Sequence, residues 1–250
     1  MFPLRDSLPR QFFPWMVWTL ITVNGLVFLL EVSLPAQWQQ AFIYHFALVP
    51  ARYTDPAWAI EHGLAPHNYL PFVSSQFLHG GWLHLILNMW TLWIFGPALE
   101  DRMGPLRFLV FYLLCGVVAG LFQFTFNPTS AIPTLGASGA IAGVIGAYAM
   151  RFPHARIIVM VPVLFFPFFF EIPALLFAGV WYLTQVLQGT SALLAPHMGG
   201  GVAWFAHIGG FVAGMGLYRF FLAPERDRPW HPDQGVLGFA PDGSPTSRKR

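Results

Sequence analysis

Two residues that could cooperate in nucleophilic catalysis lie inside long apolar segments of this chain. Ser138 lies in the sequence LGASGAIAG, which covers residues 135–143, and His207 lies in AHIGG, which covers residues 206–210. A hydroxyl group beside an imidazole is the minimum arrangement for a serine activated by a general base. Buried polar groups are costly in lipid, so those found in membrane helices usually have a function. The pair therefore predicts hydrolysis of peptide bonds within the bilayer.

The composition is that of an integral membrane protein. Hydrophobic residues make up 56% of the chain and charged residues 10%, whereas soluble domains carry about 25% charged residues. No small-residue cleavage site follows the first apolar run, so we interpret this run as a retained helix. Cys115 is the only cysteine, which excludes an intramolecular disulfide.

Six segments are apolar enough to be candidate membrane helices, for which about 20 apolar residues are needed. They are residues 15–30, 82–99, 106–126, 137–150, 172–187 and 202–221. Prolines interrupt a seventh apolar stretch, so we expect residues 157–170 to be a cytoplasmic-side loop that dips into the interface. The predicted fold is an all-α bundle of six transmembrane helices, with a short fourth helix that starts at Ser138.

Basic residues decide between six and seven spans, because Lys and Arg collect in cytoplasmic loops. Six spans put every basic cluster and both termini on the cytoplasmic side. These clusters are Arg5 and Arg10, Arg102 and Arg107, Arg151 and Arg156, and the group from Arg219 to Arg250. We predict a cytoplasmic N-terminus (residues 1–14), a membrane domain (15–222) and a polar, disordered cytoplasmic tail (223–250).

Helix geometry places four polar residues at one depth, since each residue adds about 1.5 Å along a helix. The distances to charged residues at the cytoplasmic ends are about 20 Å for Ser138 to Arg151, about 18 Å for His207 to Arg219 and about 18 Å for Asn88 to Glu100. His84 lies one turn above Asn88 on the same face. All four fall roughly 10 Å below the outer surface of a hydrocarbon core about 30 Å thick.

These residues suggest distinct chemical roles. His207 would accept the Ser138 hydroxyl proton and return it to the leaving amine. The tetrahedral oxyanion needs preorganised donors, for which the Ser138 N–H, the Asn88 amide and the His84 ring are candidates. No carboxylate lies at this depth, so we expect a Ser–His dyad whose imidazole ring is held by packing.

Small residues predict close contact between the fourth and sixth spans. Gly139 and Gly143 form one pair with small-xxx-small spacing, and Gly210 and Gly214 form another,. Gly116 and Gly120 have the same spacing without a polar neighbour, so the spacing alone is a weak indication.

Taken in order, the motifs resemble those of the rhomboid intramembrane serine proteases, over about residues 15–221. The matching motifs are Gly136-Ala-Ser138-Gly139 for Gly-x-Ser-Gly; His79, His84 and Asn88 in HGGWLHLILN for the second helix; Glu100-Asp-Arg102 for Glu-x-Arg; and Ala206-His207-Ile-Gly-Gly210 with Gly214 for the sixth helix.

The resemblance implies a six-helix core that cleaves transmembrane protein substrates in the lipid bilayer, without metal, cofactor or nucleic acid. It makes Ser138 the nucleophile and His207 the base, and it gives His84, Asn88 and the Ser138 N–H the oxyanion role. It also implies substrate entry near the second and fifth helices, a flexible cap segment over residues 188–201, and a bacterial inner membrane as the location.

Two positions depart from the family pattern. Some members carry an aromatic residue four positions after the serine, where it packs on the histidine ring, but this chain has Ala142. Some members carry Trp-Arg in the first outer loop, where this chain has Leu70 and Pro71.

Other interpretations stay open for single residues and for the whole chain. We expect His79 to have a structural hydrogen-bonding role and Glu100 with Arg102 to form an ion pair at the cytoplasmic end. A zinc site of His79, His84 and His207 would lack an acidic ligand and the His-Glu-x-x-His pattern. A transporter would show repeats or intramembrane charge. A non-catalytic relative that binds client transmembrane helices is the main alternative to an enzyme.

Overall fold

The computed structural model describes residues 2–163, 166–194, 202–224 and 226, and most of them are helical. In chain order the helices are α1 (Trp15–Ser33), α2 (Ala36–Phe46), α3 (Ala51–Thr54), α4 (Pro56–Glu61), α5 (Pro71–Ser74), a 3-10 turn (Ser75–Phe77), α6 (Trp82–Met103), α7 (Pro105–Phe126), α8 (Ser138–Arg151), α9 (Ala174–Leu194) and α10 (Trp204–Phe221).

Each predicted membrane segment corresponds to one of the longer helices. Within the described part of the chain, α1, α6 and α7 are long and apolar enough to cross a bilayer by length and composition. Helix α8 has 14 residues and is about 21 Å long, which is shorter than a hydrocarbon core of about 30 Å. The mostly helical bundle with several apolar membrane helices confirms the predicted fold class.

Helix α8 lies in the centre of the bundle. Its residues 139–149 are all buried, and the helix contacts α6, α7, α9 and α10. Glycine and alanine dominate its sequence, so four neighbouring helices can approach its backbone. Helix α8, the shortest of these membrane helices, therefore packs against four others, α6, α7, α9 and α10.

Glycines make the contact between α8 and α10 unusually close. A Cβ on Gly210 would overlap the Gly139 carbonyl, and a Cβ on Gly214 would overlap the Gly143 carbonyl. The pair on α7 packs elsewhere, because the space beside Gly116 is filled by the side chain of Gln76. The predicted contact between the fourth and sixth spans is thus confirmed.

A three-stranded antiparallel sheet replaces the loop that we expected over residues 157–170. Strands β1 (Phe2–Asp6), β2 (Arg156–Val163) and β3 (Phe166–Pro173) lie in the order β1-β2-β3. Ile, Val and Phe dominate this segment, and these residues favour strands. Met160 is the last β2 residue that pairs with β1, and the pair of Pro162 with Pro167 lies beyond it. Because only two strands are paired there, the N–H groups that the prolines lack remove few hydrogen bonds from the sheet.

The first residues of the chain are part of this sheet and fasten it to the helices. The Trp90 indole on α6 donates to the Pro3 carbonyl at 2.8 Å. Asp6 is buried, and the Tyr148 hydroxyl on α8 donates to its Oδ2 at 3.1 Å. Burial raises the pKa of Asp6 to about 6, although the Tyr148 hydrogen bond and the Arg10 charge lower it.

The ends of α6 and α10 and the start of α1 meet beside the sheet, and we call this the inner end of the bundle. Both carboxylate oxygens of Glu100 accept backbone N–H groups, from Met16 at 2.9 Å and Val17 at 2.8 Å. The Ala223 N–H donates to the Arg102 carbonyl at 2.9 Å. Glu100 therefore serves as the N-terminal cap of α1, which has no capping side chain of its own,.

The segment between α1 and α6 holds the chain before α8 at the opposite, outer end. Leu48 and Thr134 exchange two backbone hydrogen bonds, of 3.0 and 2.8 Å. The Gly136 N–H donates to the Ser75 carbonyl at 2.9 Å. These bonds fix the residues that lead directly into Ser138.

Candidate active site

Ser138 and His207 form a hydrogen-bonded pair. Ser138 is the first residue of α8 and His207 lies in the first turn of α10. The distance between Ser138 Oγ and His207 Nε2 is 2.8 Å, within hydrogen-bond reach,. Both side chains are half-buried. The tight α8–α10 contact begins one residue after Ser138, so the same glycines that join the helices bring these side chains together.

Gly136 allows α8 to start where it does. Its φ is +123°, which strains any other residue, and a Cβ there would lie 2.8 Å from Cε1 and Nε2 of His84. The first intrahelical bond runs from the Ile141 N–H to the Ala137 carbonyl, and no side chain caps the helix. The N–H of Ser138 therefore lies in the uncapped first turn, where a developing negative charge is favoured.

His84 and Asn88 on α6 face the same cavity as Ser138 and His207, and its volume is about 530 Å³. Asn88 Nδ2 donates to the His84 carbonyl at 3.0 Å. The Gly80 N–H donates to His84 Nδ1 at 3.4 Å. A ring nitrogen that accepts a hydrogen bond carries no proton, so this contact leaves the proton on His84 Nε2, beside Gly136.

His79 lies behind His84 and outside the cavity lining. Its side chain is buried, and the two imidazole ring centroids are 5.1 Å apart. The His79 N–H donates to Glu31 Oε2 at 3.3 Å, while neither ring nitrogen has a partner among the described residues. The hydrogen bond expected of His79 is thus made by its backbone, and its ring packs against His84.

Glu100 and Arg102 lie at the inner end and do not line the cavity. The hydrogen bonds of Glu100 run to α1, as described above. Arg102 Nη1 donates to the Arg226 carbonyl at 3.1 Å. Glu100 thus joins α6 to α1, and Arg102 joins α6 to the segment that follows α10.

The sequence analysis did not single out Gln185, which contacts His207 from α9. Gln185 Oε1 lies 2.8 Å from His207 Nδ1, and the Trp181 ring centroid lies 5.9 Å from that of the imidazole. The expectation that packing alone holds the ring is therefore wrong. Gln185 is a buried amide in a membrane segment, and the rule that drew attention to Ser138 would have found it.

Helices α6 and α9 contact each other through two aromatic side chains next to the cavity. The rings of Phe95 and Phe177 stack with centroids 5.4 Å apart. One turn further out on each helix, Thr91 and Trp181 line the cavity instead. Part of the expected cap segment, residues 188–194, continues α9 as helix, and residues 195–201 lie outside the described residues.

The described side chains also bear on the metal alternative. Within the part of the chain that the structure describes, no three His, Cys, Asp or Glu side chains group as a metal site requires. His79, His84 and His207 are not gathered around one point, because His79 is behind His84 and outside the cavity.

Comparisons with known proteins agree with the motifs. Rhomboid protein 1, mitochondrial, of Saccharomyces cerevisiae is 28% identical over 83% of this chain and 53% of its own length. Presenilin-associated rhomboid-like protein A, mitochondrial, of Danio rerio is 32% identical over 58% of this chain and 36% of its own. Rhomboid protease GluP of Bacillus subtilis is 44% identical over 28% of this chain and 13% of its own.

The chain spans about half the length of the yeast relative and smaller shares of the other two. Mitochondrial and bacterial proteins both occur among them, so their names do not favour a bacterial inner membrane. A family model described as Rhomboid domain matches residues 66–224, which include Ser138, His207, His84 and Asn88. This match covers more than half of the chain, and we conclude that the protein belongs to the rhomboid family.

Proposed function

We propose that this protein is an intramembrane serine endopeptidase, which hydrolyses peptide bonds in or next to transmembrane segments of other membrane proteins. The observation that carries the proposal is the 2.8 Å hydrogen bond between Ser138 Oγ and His207 Nε2. It lies at a cavity inside an apolar bundle. Membership of a family that includes a relative named as a protease supports the same conclusion.

In the first chemical step, Ser138 Oγ attacks the carbonyl carbon of the scissile bond while His207 Nε2 takes the hydroxyl proton. The resulting imidazolium then gives that proton to the nitrogen of the leaving amine. The C–N bond breaks and an acyl ester remains on Ser138. A water molecule, deprotonated by His207, then attacks the ester. The new carboxyl terminus leaves, and His207 returns the proton to Ser138 Oγ.

The negative charge on the tetrahedral intermediate would fall beside the start of α8. Three donors approach this region: the Ser138 N–H in the uncapped first turn, His84 Nε2 and the Asn88 amide. Asn88 Nδ2 carries two hydrogens and donates one to the His84 carbonyl, so the other can donate to the oxyanion. Preorganised donors of this kind are usually the largest single contribution to such catalysis.

Substrates would enter from the bilayer between the outer halves of α6 and α9. Phe95 and Phe177 join the two helices, and one turn further out Thr91 and Trp181 line the cavity. Residues 188–194, the described part of the expected cap segment, continue α9 beyond the cavity. Arg102, Arg107 and Arg156 lie at the inner end. That end would therefore face the side of the membrane on which basic loops collect.

The experiment is cleavage of a single-span reporter by purified protein in liposomes. We compare wild type, Ser138→Ala and His207→Ala, with Ser33→Ala as a matched control, since Ser33 is exposed at the end of α1. A zinc chelator is a separate arm.

We expect wild type and Ser33→Ala to cleave in the presence of chelator, and both site variants to lose activity by about 10⁴-fold or more. Cleavage that survives Ser138→Ala would exclude the serine mechanism. Binding of several reporters without cleavage by wild type would instead favour the client-binding alternative.

A further inference from the structure

One face of α9 follows the active-site cavity from the inner end outwards. Phe177, Trp181 and Gln185 are spaced by four residues, so their side chains lie on one face of the helix. Phe177 stacks on Phe95 of α6, Trp181 lies beside the His207 ring and Gln185 contacts His207 directly. This face therefore contacts both α6 and the histidine that we propose as the base.

Neighbouring groups fix the orientation of the Gln185 amide. The side chain is buried, and its Nε2 donates to the Trp181 carbonyl at 3.2 Å and to Thr184 Oγ1 at 3.0 Å. The Trp181 carbonyl can only accept, and the Thr184 hydroxyl already donates to that carbonyl at 2.6 Å, so both contacts require the NH₂ group of Gln185 to lie on their side,. Oε1 is then the atom that faces His207 Nδ1, at 2.8 Å.

This orientation selects one tautomer of His207. An oxygen at 2.8 Å from Nδ1 requires a proton on Nδ1, because two acceptors repel each other,. The neutral ring then has its lone pair on Nε2, which faces Ser138 Oγ. The other tautomer would carry its proton on Nε2 and could not accept the serine proton.

We propose that Gln185 is a positioning residue for His207, and that the contact of α9 with α10 sets the tautomer of the general base. This inference rests on the proposed function. An amide orients the ring without placing a charge among apolar helices, where an ionised group is costly. Since Gln185 belongs to α9, any displacement of the outer half of that helix would also remove the partner of Nδ1.

The kinetic test uses Gln185→Leu, Gln185→Glu and, as a control, Thr19→Val, which removes an exposed hydroxyl on α1 that donates to the Trp15 carbonyl. Loss of the hydrogen bond to the imidazole, which becomes charged during the reaction, predicts a fall in kcat of about 10- to 100-fold for Gln185→Leu. KM should change little, and Thr19→Val should behave as wild type.

Gln185→Glu should restore most of kcat and move the acidic limb of the kcat/KM profile to higher pH, because a carboxylate favours the imidazolium. His84 is the other imidazole among the described residues that line the cavity, and it is the same in all variants. Wild-type kcat in Gln185→Leu, or an unmoved acidic limb in Gln185→Glu, would overturn the proposal.

A spectroscopic measurement separates this proposal from the proposed function. In ¹⁵N-histidine-labelled protein, the His207 signals are identified by difference from His207→Ala. Wild type should show a proton on Nδ1, and Gln185→Leu should shift towards a mixture of tautomers. A protein that cleaves nothing but shows this shift would contradict only the protease function. An active wild type whose tautomer is unchanged by Gln185→Leu would contradict only the role of Gln185.

Discussion

The carbonyl group of Gly139 on α8 occupies the space that a side chain on Gly210 of α10 would need. One turn further in, the Gly143 carbonyl occupies the space that a side chain on Gly214 would need. Ser138 directly precedes the first of these glycines, and His207 precedes Gly210 by three residues. The 2.8 Å contact between serine and histidine therefore depends on two helix backbones that touch without side chains between them,.

Gly210→Ala should consequently lower both stability and activity. The added methyl group meets a backbone atom that cannot move without shifting α8, and overpacking of this kind costs about 1–3 kcal/mol. We expect a lower melting temperature in detergent and loss of reporter cleavage well below that temperature, since the Ser138–His207 distance would increase.

Gly216→Ala is the matched control, because it lies on the same helix and a Cβ there has nothing within 4 Å. It should melt and cleave as wild type does. Equal behaviour of the two alanine variants would show that the α8–α10 contact does not hold the pair together.

Asn88→Ala should reduce kcat by about 10²- to 10³-fold with little change in KM, the usual cost of losing one oxyanion donor. The measurement is steady-state cleavage, with a thermal melt of the same preparation. If Asn88 instead serves to join helices, the variant would lose thermal stability while the protein that stays folded keeps its kcat.

Asp6 predicts a pH-dependent stability at the inner end. Its pKa is raised from 3.8 to about 6, chiefly by burial. A raised folded-state pKa means that the stability from this group is full below about pH 3.8 and is lost as the pH rises through about 6,. The two values correspond to a loss of about 3 kcal/mol by neutral pH.

Asp6→Asn should therefore raise the melting temperature at pH 7.5 and have little effect near pH 4. Glu61→Gln removes an exposed carboxyl group on α4 and should not alter the pH profile. A variant that is less stable than wild type at pH 7.5 would show that the ionised carboxylate is favourable in the fold.

Glu100→Ala should destabilise the bundle without changing the chemistry. The substitution removes both acceptors for the Met16 and Val17 N–H groups, and loss of a helix cap costs about 0.5–2 kcal/mol. We expect a lower melting temperature and an unchanged kcat at temperatures where the protein stays folded. A fall in kcat of tenfold or more in fully folded protein would assign Glu100 a part in the reaction.

The helices were readily predicted from sequence, because each lipid-facing helix must satisfy its own backbone and carries an apolar stretch. The constant rise of a helix placed Ser138, His207, His84 and Asn88 at one depth, and the structure has all four at one cavity. Those predictions used only helix geometry and the cost of polar groups in lipid.

Two features could not be predicted from the sequence, for physical reasons. A short apolar run of Ile, Val and Phe has no period that separates strand from loop, so the sequence predicts a loop where the structure has strands β2 and β3. Gln185 and His207 lie on two different helices. The spacing of residues within one helix does not show which residues of another helix they contact. A carboxylate is the usual partner of such a ring, whereas here an amide oxygen lies 2.8 Å from His207 Nδ1.

Covalent labelling shows whether His207 activates Ser138. Purified protein in liposomes is treated with a fluorophosphonate, which forms a stable adduct with activated serines, and the modified residue is identified by peptide mass spectrometry. We expect an adduct on Ser138 that forms in wild type and is lost in His207→Ala, with Ser33 unmodified in both. An adduct that forms at the same rate in His207→Ala, or that lies on another serine, would contradict it.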